Sequence, residues 1–153
     1  MKLSVRGKYA LRGLTVLGEA YGPEVVRIQT ISEQQNIPKR FLEQILFDLK
    51  SAGIVESRRG VAGGYRLAAP PEKIPLAKVI RHLEGALAPV GCISERFYEK
   101  CSCPDELQCP LRSIMKEVRD AIAKILENTT VADLVTRAAL LRQKPDRPVD
   151  FVI

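Results

Sequence analysis

The sequence predicts a mainly α-helical protein with one small β-hairpin and a long helix in its C-terminal third. Three observations lead to this prediction. Apolar residues recur at helical spacing along most of the chain, a glycine-rich stretch separates two β-like runs between residues 54 and 67, and residues 110–127 carry a sustained apolar stripe. Apolar residues make up 46% of the 153 residues, which is enough for one buried core.

The first predicted helix covers residues 3–20. Its apolar residues recur close to helical spacing: Leu3, Ala10, Leu11, Leu14, Leu17 and Ala20. The dipeptide Gly22-Pro23 follows, and it ends the helix because glycine and proline together favour a turn.

A short helix and a longer helix are predicted next. Thr30 with an acidic residue three positions later has the form of a capping box, so Thr30 is the predicted N-cap of a helix over residues 31–36. Pro38 suits the first turn of the following helix, which is predicted over residues 39–52. Gly53 then ends this helix as a favoured C-cap residue.

The rest of the chain alternates between turns and helices. Residues 54–57 and 65–67 are predicted strands of a hairpin, because the glycines between them permit a tight loop. Prolines mark a boundary after the hairpin, and a fourth helix is predicted over residues 76–85. The long helix at 110–127 and a short helix at 131–141 complete the chain.

The third helix has the side chains of a DNA-recognition helix. The order helix, short helix, tight turn, helix and hairpin is that of a winged helix-turn-helix. On a wheel at about 100° per residue, polar side chains occupy the arc opposite the apolar one: Lys39, Arg40, Glu43, Gln44 and Lys50. Such side chains hydrogen-bond base edges and phosphates in the major groove, mainly from the first turns of the helix. Phe47 also lies on this outward arc, and the pattern does not explain it.

The predicted hairpin has the composition of a wing that contacts DNA. Arg58 and Arg59 precede the small-residue loop GVAGG, and arginines in this position can enter a narrow minor groove. A merely solvated face is the alternative explanation for the charged helix, and the paired arginines of the hairpin favour double-stranded DNA. The excess of 24 basic over 18 acidic residues agrees with a polyanionic partner.

All the cysteines of the chain lie in GCISERFYEKCSCPDELQCPLRS, at positions Cys92, Cys101, Cys103 and Cys109. The spacing lacks the C-x2-C pairs of zinc knuckles, and the one histidine, His82, lies on the fourth helix. Thiolates without histidine favour an iron–sulfur cluster, while zinc and redox-active disulfides are alternatives. A polar loop of this length is hard to order without a bound centre.

Nothing in the sequence indicates export, a membrane span or catalysis. Basic residues interrupt the N-terminal apolar run, so no signal peptide is expected, and no apolar run approaches the roughly 20 residues of a membrane span. We therefore expect a cytoplasmic protein, in which clustered cysteines are more often metal ligands or redox centres than structural disulfides. No catalytic constellation is present, which predicts that the protein is not an enzyme.

The long helix has the pattern of a dimerisation helix. Five apolar residues follow a 4-3-4-3 spacing, which is that of a coiled-coil seam: Leu111, Met115, Val118, Ile122 and Ile125. Three further apolar residues widen this seam: Ile114, Ala121 and Leu126. The alternative is a helix that packs only on its own domain. A homodimer would place two winged helices on a palindromic operator, about one helical turn or a multiple of it apart.

The sequence resembles the Rrf2 family of bacterial transcription regulators. The resemblance covers roughly residues 1–140 and is carried by MKLSVRGKYALRGL, by RRGVAGGYRL and by a cysteine loop before a long helix. It implies a dimeric winged-helix regulator whose DNA affinity depends on an iron–sulfur cluster in the loop, with [2Fe–2S] favoured over [4Fe–4S]. It also implies DNA contacts by Lys39, Arg40, Glu43, Gln44 and Arg59, and phosphate contacts near Tyr9.

The cluster ligands carry over incompletely from the family. Cys92, Cys103 and Cys109 match the three-cysteine pattern, although the first gap is longer and Cys101 is additional. IscR-like members have a histidine where this chain has Arg112, and some NsrR-like members have an acidic ligand at the position of Lys8. Neither residue can replace the missing ligand, so we predict that Cys101 supplies the fourth thiolate.

These predictions divide the chain into four parts. Residues 1–85 form the winged helix-turn-helix domain, residues 86–109 the cysteine loop, residues 110–141 the dimerisation helix with a short C-terminal helix, and residues 142–153 a flexible tail. Two other functions stay open: a metal-free regulator that is switched by disulfides or by a partner, and an iron–sulfur electron carrier. The arginine-flanked wing argues against the carrier, because electron transfer has no use for it.

Overall fold

The computed structural model describes residues 2–143 and consists mainly of helices. The predicted tail lies outside the described residues from position 144 onwards. The elements follow the predicted order: α1 (Val5–Glu19), α2 (Ile28–Gln35), α3 (Lys39–Ser51), β1 (Val55–Arg58), β2 (Gly64–Leu67), α4 (Leu76–Glu84), α5 (Pro110–Asn128) and α6 (Val131–Arg142). Single 3-10 turns occur at Pro71–Lys73 and Gly91–Ile93.

The start of α2 differs from the prediction. The helix begins at Ile28 after Arg27 as N-cap, so Thr30 lies inside the helix and does not cap it. Val26 explains the boundary, because its backbone exchanges two hydrogen bonds of 2.8 Å with Tyr65 of β2. This bridge holds Val26 extended, and the chain turns into a helix directly after it. The tertiary contact thus overrides the local capping signal.

The turn between α2 and α3 is fixed locally. Asn36 adopts a left-handed conformation with φ of 48°, which asparagine tolerates better than most residues. The Ser32 hydroxyl donates to the Ile37 carbonyl at 2.6 Å, and the Ile37 amide donates to the Ser32 carbonyl at 3.0 Å. Pro38 is the N-cap of α3, one position before the first turn. These contacts set the angle between the two helices.

The wing consists of β1, β2 and the loop at residues 59–63. The strands are antiparallel, with Arg58 opposite Gly64 at the loop end and Val55 opposite Leu67 at the core end. Gly64 lies so close to the bridge that a Cβ atom would approach the Val26 carbonyl oxygen to 2.3 Å. The Lys50 ammonium donates to the Ser57 hydroxyl at 2.6 Å, which ties the wing to α3.

One hydrophobic core lies between α1, α2, α3, α4 and the wing, and α6 packs against it from outside. Its fully buried side chains include Leu14, Leu17, Ile31, Leu42, Leu46, Leu49 and Val79. Val131, the first residue of α6, is part of the same core, and its amide donates to the Ile74 carbonyl at 3.0 Å. The chain therefore leaves the core with α5 and returns to it with α6.

Helix α5 projects an apolar stripe away from the core. None of its residues is buried within the described residues 2–143. The stripe consists of exposed side chains at heptad spacing: Leu111, Ile114, Val118, Ala121 and Ile125. The predicted seam included Met115 and Ile122, which are partly covered by the same chain, so the exposed stripe is rotated slightly from it. Among residues 2–143, no helix is long and apolar enough to cross a membrane.

Candidate nucleic-acid interface and cysteine loop

The polar side chains predicted to contact DNA lie together on the free face of α3. Lys39, Arg40, Glu43 and Gln44 are exposed, whereas the opposite side of the helix is buried through Leu42, Ile45, Leu46 and Leu49. We call the exposed set the reading face. Phe47 lies in the same outward row and is 68% exposed, as its position on the wheel predicted.

The reading face is held in place by one ion pair and by hydrogen bonds behind it. Arg6 of α1 forms an ion pair with Asp48 of α3. His82 of α4 makes a hydrogen bond of 3.0 Å with the Asp48 carbonyl oxygen. The only histidine of the chain thus supports α3 and lies outside the cysteine loop. Arg12 of α1 donates to the backbone and side chain of Gln35, which fixes the end of α2.

A basic hollow separates α3 from the wing. Its volume is about 540 Å³, and it is lined by four cationic side chains: Arg27, Lys50, Arg58 and Arg59. The lining residues within the described part of the chain include no aspartate or glutamate. Gly60 and Gly63 bring the wing backbone to the same rim, where a side chain at Gly63 would collide with the Arg58 carbonyl. Such a surface attracts phosphate groups.

Tyr9 lies on the α1 side of the reading face. Its ring is half-buried against the core, and the Arg12 guanidinium lies 5.5 Å from the ring centroid. A second hollow of about 690 Å³ has Tyr9, Phe41, Gln44 and Phe47 among its lining residues. Tyr9 is therefore on the side of the molecule that carries α3, where a contact with a DNA phosphate is geometrically possible.

The cysteine loop is anchored at both ends. Cys92 lies in the 3-10 turn and is 8% exposed, and its carbonyl accepts a hydrogen bond of 3.3 Å from Arg112 Nε. Cys109 is the N-cap of α5, where its Sγ accepts from the Arg112 amide at 3.4 Å. Arg119 of α5 donates to the Ile93 carbonyl. The loop and α5 are thus joined by direct hydrogen bonds.

Cys101 is the centre of the thiol arrangement. All four cysteines are free thiols. The Cys103 amide donates to Cys101 Sγ at 3.4 Å, and this bond, with side-chain hydrogen bonds from Cys103 and Cys92, lowers the pKa of Cys101. The pKa of Cys103 is raised to about 11, because its thiol donates a hydrogen bond to Cys101 and because it is partly buried. Burial, followed by the nearby charge of Cys101, raises the pKa of Cys92.

The contacts of two residues in this region were not predicted from the sequence. Glu106 accepts hydrogen bonds from the Cys101 amide at 2.8 Å and from the Tyr98 hydroxyl at 2.9 Å, and these bonds lower the pKa of its carboxyl group. Arg112 occupies the position of the histidine of IscR-like members and binds the backbone of the loop. Only the high density of polar residues around the cysteines could have pointed to them.

The thiols do not surround a single point. Within residues 2–143, no three histidine, cysteine, aspartate or glutamate side chains are arranged to hold one metal ion. This arrangement does not match a tetrahedral zinc site, in which all ligands bind the same ion. An iron–sulfur cluster is less demanding, because its cysteines bind different iron atoms.

The comparison with protein-family models decides the family. Residues 3–137 match the Rrf2 model, which is described as an iron-dependent transcriptional regulator. The chain belongs to the Rrf2 family. Protein rrf2 of Nitratidesulfovibrio vulgaris (Hildenborough) is 36% identical over 140 residues, which cover 92% of this chain and 91% of the relative.

Two solved structures of Rrf2-family regulators have the same fold. CymR (YrzC), the global cysteine regulator of B. subtilis, is 31% identical with a TM-score of 0.75, over 90% of this chain and 98% of that one. IscR of T. potens is 28% identical with a TM-score of 0.73, over 95% and 94% of the two chains. These similarities confirm the mainly helical winged-helix fold class with its long C-terminal helix.

This Rrf2 protein is a DNA-binding transcriptional regulator. The relatives and structural neighbours are regulators and not enzymes, as the sequence predicted. Regulators of this family bind DNA and form dimers. In this chain, the exposed stripe of α5 and the reading face are candidate surfaces for these two properties.

Proposed function

We propose that this regulator binds its operator as a homodimer and that an iron–sulfur cluster in the cysteine loop sets its affinity. The observation that carries the proposal is the contact network of the thiols. Cys101 is hydrogen-bonded to Cys103 and Cys92, and Cys109 caps the helix that follows. Two of the thiols are thus attached to the start of α5, Cys109 as its N-cap and Cys92 through the Arg112 side chain.

The donor set and the charges around it fit such a cluster. Thiolates are the ligands of iron–sulfur clusters, and no imidazole is needed. A cluster with four thiolates is anionic, and the N-terminus of α5 with the Arg112 guanidinium provides positive charge beside Cys92 and Cys109. When bound, the cluster would supply a redox- and iron-sensitive centre. Cys92, Cys101, Cys103 and Cys109 would hold it.

The residues of the loop transmit the state of this centre to DNA through α5. Arg112 binds both ends of the loop, since its side chain holds the Cys92 carbonyl and its amide holds the Cys109 sulfur. A change in the loop therefore moves the first turn of α5, which carries Leu111 and Ile114 of the exposed stripe. In a dimer, a shift of this stripe re-spaces the two reading faces on a palindromic operator.

One experiment tests the linkage. Protein purified without oxygen is expected to contain iron and acid-labile sulfide and to show cluster absorption. Footprinting on duplexes selected from a random library should then give different affinities for holo and apo protein. Iron-free, colourless protein, or equal affinity in both forms, would overturn the cluster proposal and leave DNA binding itself intact.

A second experiment tests the fourth ligand. Cys101→Ala is expected to shift or weaken the absorption of the reconstituted cluster, because the remaining thiols cannot complete four-fold ligation. Ser102→Ala is the matched control, since it removes a polar group from the neighbouring exposed position and leaves every thiol in place. A full-strength, unshifted spectrum of Cys101→Ala would remove Cys101 from the ligand set.

A metal-free thiol switch is the second candidate. The observation in its favour is the contact between Cys101, whose pKa is lowered, and Cys103, whose thiol stays protonated. The lowered pKa favours ionisation of Cys101, and a thiolate formed there beside the Cys103 thiol would be oxidised to a disulfide by an external oxidant. The similarity to the cysteine regulator CymR agrees with thiol chemistry. This candidate predicts iron-free protein whose operator affinity changes on oxidation, and Cys101→Ala would abolish that change.

A further inference from the structure

Phe47 is a large apolar side chain in the middle of a polar surface. It is 68% exposed, although the adjacent residues Leu46 and Leu49 of α3 are almost fully buried. On a wheel at 100° per residue, Phe47 lies between Glu43 and Gln44 and about 20° from Arg40. It therefore extends the reading face by one turn towards the C-terminus of the helix.

Neither the wing nor α1 covers this ring. Phe47 lines the basic hollow beside the wing and also the hollow between α3 and α1. The Phe47 side chain thus lies between two hollows with volumes of about 540 and 690 Å³. An apolar side chain that only stabilised the fold would be expected inside one of these hollows, where the protein would cover it, and not between them.

The surroundings of Phe47 identify what can cover it. Lys50, Arg58 and Arg59 lie around the adjoining hollow, and Arg40 lies on the same row of α3. These cations direct the row towards a polyanion, and α3 has the diameter of an element that enters a major groove. The apolar group that a major groove presents is the C5-methyl of thymine, because the other exposed base edges are hydrogen-bonding groups.

We propose that Phe47 contacts a thymine C5-methyl group in the operator and thereby determines specificity at that base pair. The inference rests on the proposed reading face of α3. Arg40, Glu43 and Gln44 would bond to base edges in the first turns of the helix, and Phe47 would add an apolar contact one turn further along. A cytosine or a purine at that position offers no methyl group to the ring.

Phe41 provides a matched comparison on the same helix. It is also a phenylalanine and is 59% exposed, but it lies about 120° from Phe47 around the axis. It lines the hollow between α3 and α1, which Val5 and Tyr9 of α1 and also Phe47 line. Phe41→Ala therefore removes the same type of side chain as Phe47→Ala, from a position outside the row formed by Arg40, Gln44 and Phe47.

The test replaces thymines one at a time by deoxyuridine, which pairs in the same way and lacks the methyl group. The duplexes are those selected from a random library by the full-length wild-type protein. At one position in each half-site, deoxyuridine is expected to weaken wild-type binding about fourfold, the value of one buried methyl-sized group. Phe47→Ala should bind both duplexes equally, and Phe41→Ala should keep the wild-type preference.

The outcomes separate this inference from the function on which it rests. If the wild-type protein selects no sequence, the proposed function fails and the substitution is not the cause. If it selects an operator but tolerates deoxyuridine everywhere, the inference about Phe47 is overturned. The same holds if Phe47→Ala keeps the full preference for thymine. Far-ultraviolet circular dichroism of both variants confirms that the exposed substitutions leave the fold unchanged.

Discussion

Two arginines of the wing place positive charge beside a loop of small residues. Arg58 ends β1 and Arg59 begins the loop, both are exposed, and the hollow beside them contains no acidic partner among the described lining residues. Gly60, which follows, has a positive φ of 104°, and Gly63 has no room for a side chain, so the loop backbone is narrow. Such cations are hydrated in water. They bind DNA favourably because their contact with phosphates releases counterions from the duplex.

Removing either arginine should weaken operator binding. Arg59→Ala is expected to lower affinity and to reduce the slope of log affinity against log salt by about 1, the value of one lost phosphate contact. Arg58→Ala should have a similar effect. Arg137→Ala removes the same charge from an exposed position on α6, outside the reading face and the wing, and should leave the slope unchanged. An equal loss for all three variants would assign the effect to net charge alone.

For single residues, the sequence predicts which side chains are exposed more reliably than it predicts which atoms they contact. The arc of α3, including the outward position of Phe47, follows from helical geometry alone. The hydrogen bonds of Glu106 to Cys101 and Tyr98 depend on the path of an irregular loop, which no periodicity describes. The support of Asp48 by Arg6 and His82 likewise joins residues that are far apart in sequence.

Among the elements, α5 is the proposed contact with a second copy. Its apolar stripe is exposed, with Leu111 at 59% and Ile125 at 64%, and such a heptad stripe packs well against another helix. Met115 and Ile122 were predicted in this seam, but they are partly covered by the same chain. A 4-3 pattern cannot tell which of two adjacent apolar rows faces outwards, because both rows are apolar in this helix.

A charge in the middle of the stripe should separate the dimer. Val118→Asp places two unpaired carboxyl groups in the apolar seam of each dimer, and burying such a group costs about 1–3 kcal/mol, so the dissociation constant should rise at least about thirtyfold. Sedimentation equilibrium measures the change. Lys116→Asp places the same residue on the opposite side of α5, and it should remain dimeric. A dimeric Val118→Asp protein would place the interface elsewhere.

The start of α6 carries a pH-sensitive cap. Thr130 and Asp133 form a capping box, and the hydrogen bonds from the Thr130 amide and hydroxyl lower the pKa of the Asp133 carboxyl group. A depressed folded-state pKa adds stability above the unfolded pKa, and this stability is lost as the pH falls through the folded value. The cap predicted at Thr30 is absent, whereas this one forms because Val131 is anchored in the core.

Asp133→Ala should therefore destabilise the protein in a pH-dependent way. Its Tm is expected to lie below that of the wild type at pH 7, and the difference should shrink as the pH is lowered past about 4, the ordinary carboxyl range. Thermal scans over this range measure the difference. Glu117→Ala, an exposed acidic residue within α5, should show no such trend. A difference that is constant with pH would rule out the ionised cap as the cause.

In the whole molecule, two separate parts of the chain hold α5 at its ends. The C-terminal end of α5 is followed by Val131, which lies in the core and is bridged through Thr130 to Pro75. Its N-terminal end is attached to the cysteine loop through Arg112. The first end is fixed by apolar burial and the second by hydrogen bonds to a polar loop. A chemical change in the loop therefore acts on the weaker attachment.

The dependence of operator affinity on salt concentration should report how many subunits contact the phosphates of the operator. Each subunit presents the reading face and the four cations of the basic hollow, so a dimer that makes 6 to 10 phosphate contacts should lose about 10³ to 10⁵ in affinity between 50 and 200 mM salt. Monomeric Val118→Asp has one set of these contacts, so its slope should be about half as steep. Titrations at several salt concentrations, with Lys116→Asp as the dimeric control, measure both slopes. Equal slopes for the monomer and the dimer would mean that one subunit makes all the phosphate contacts.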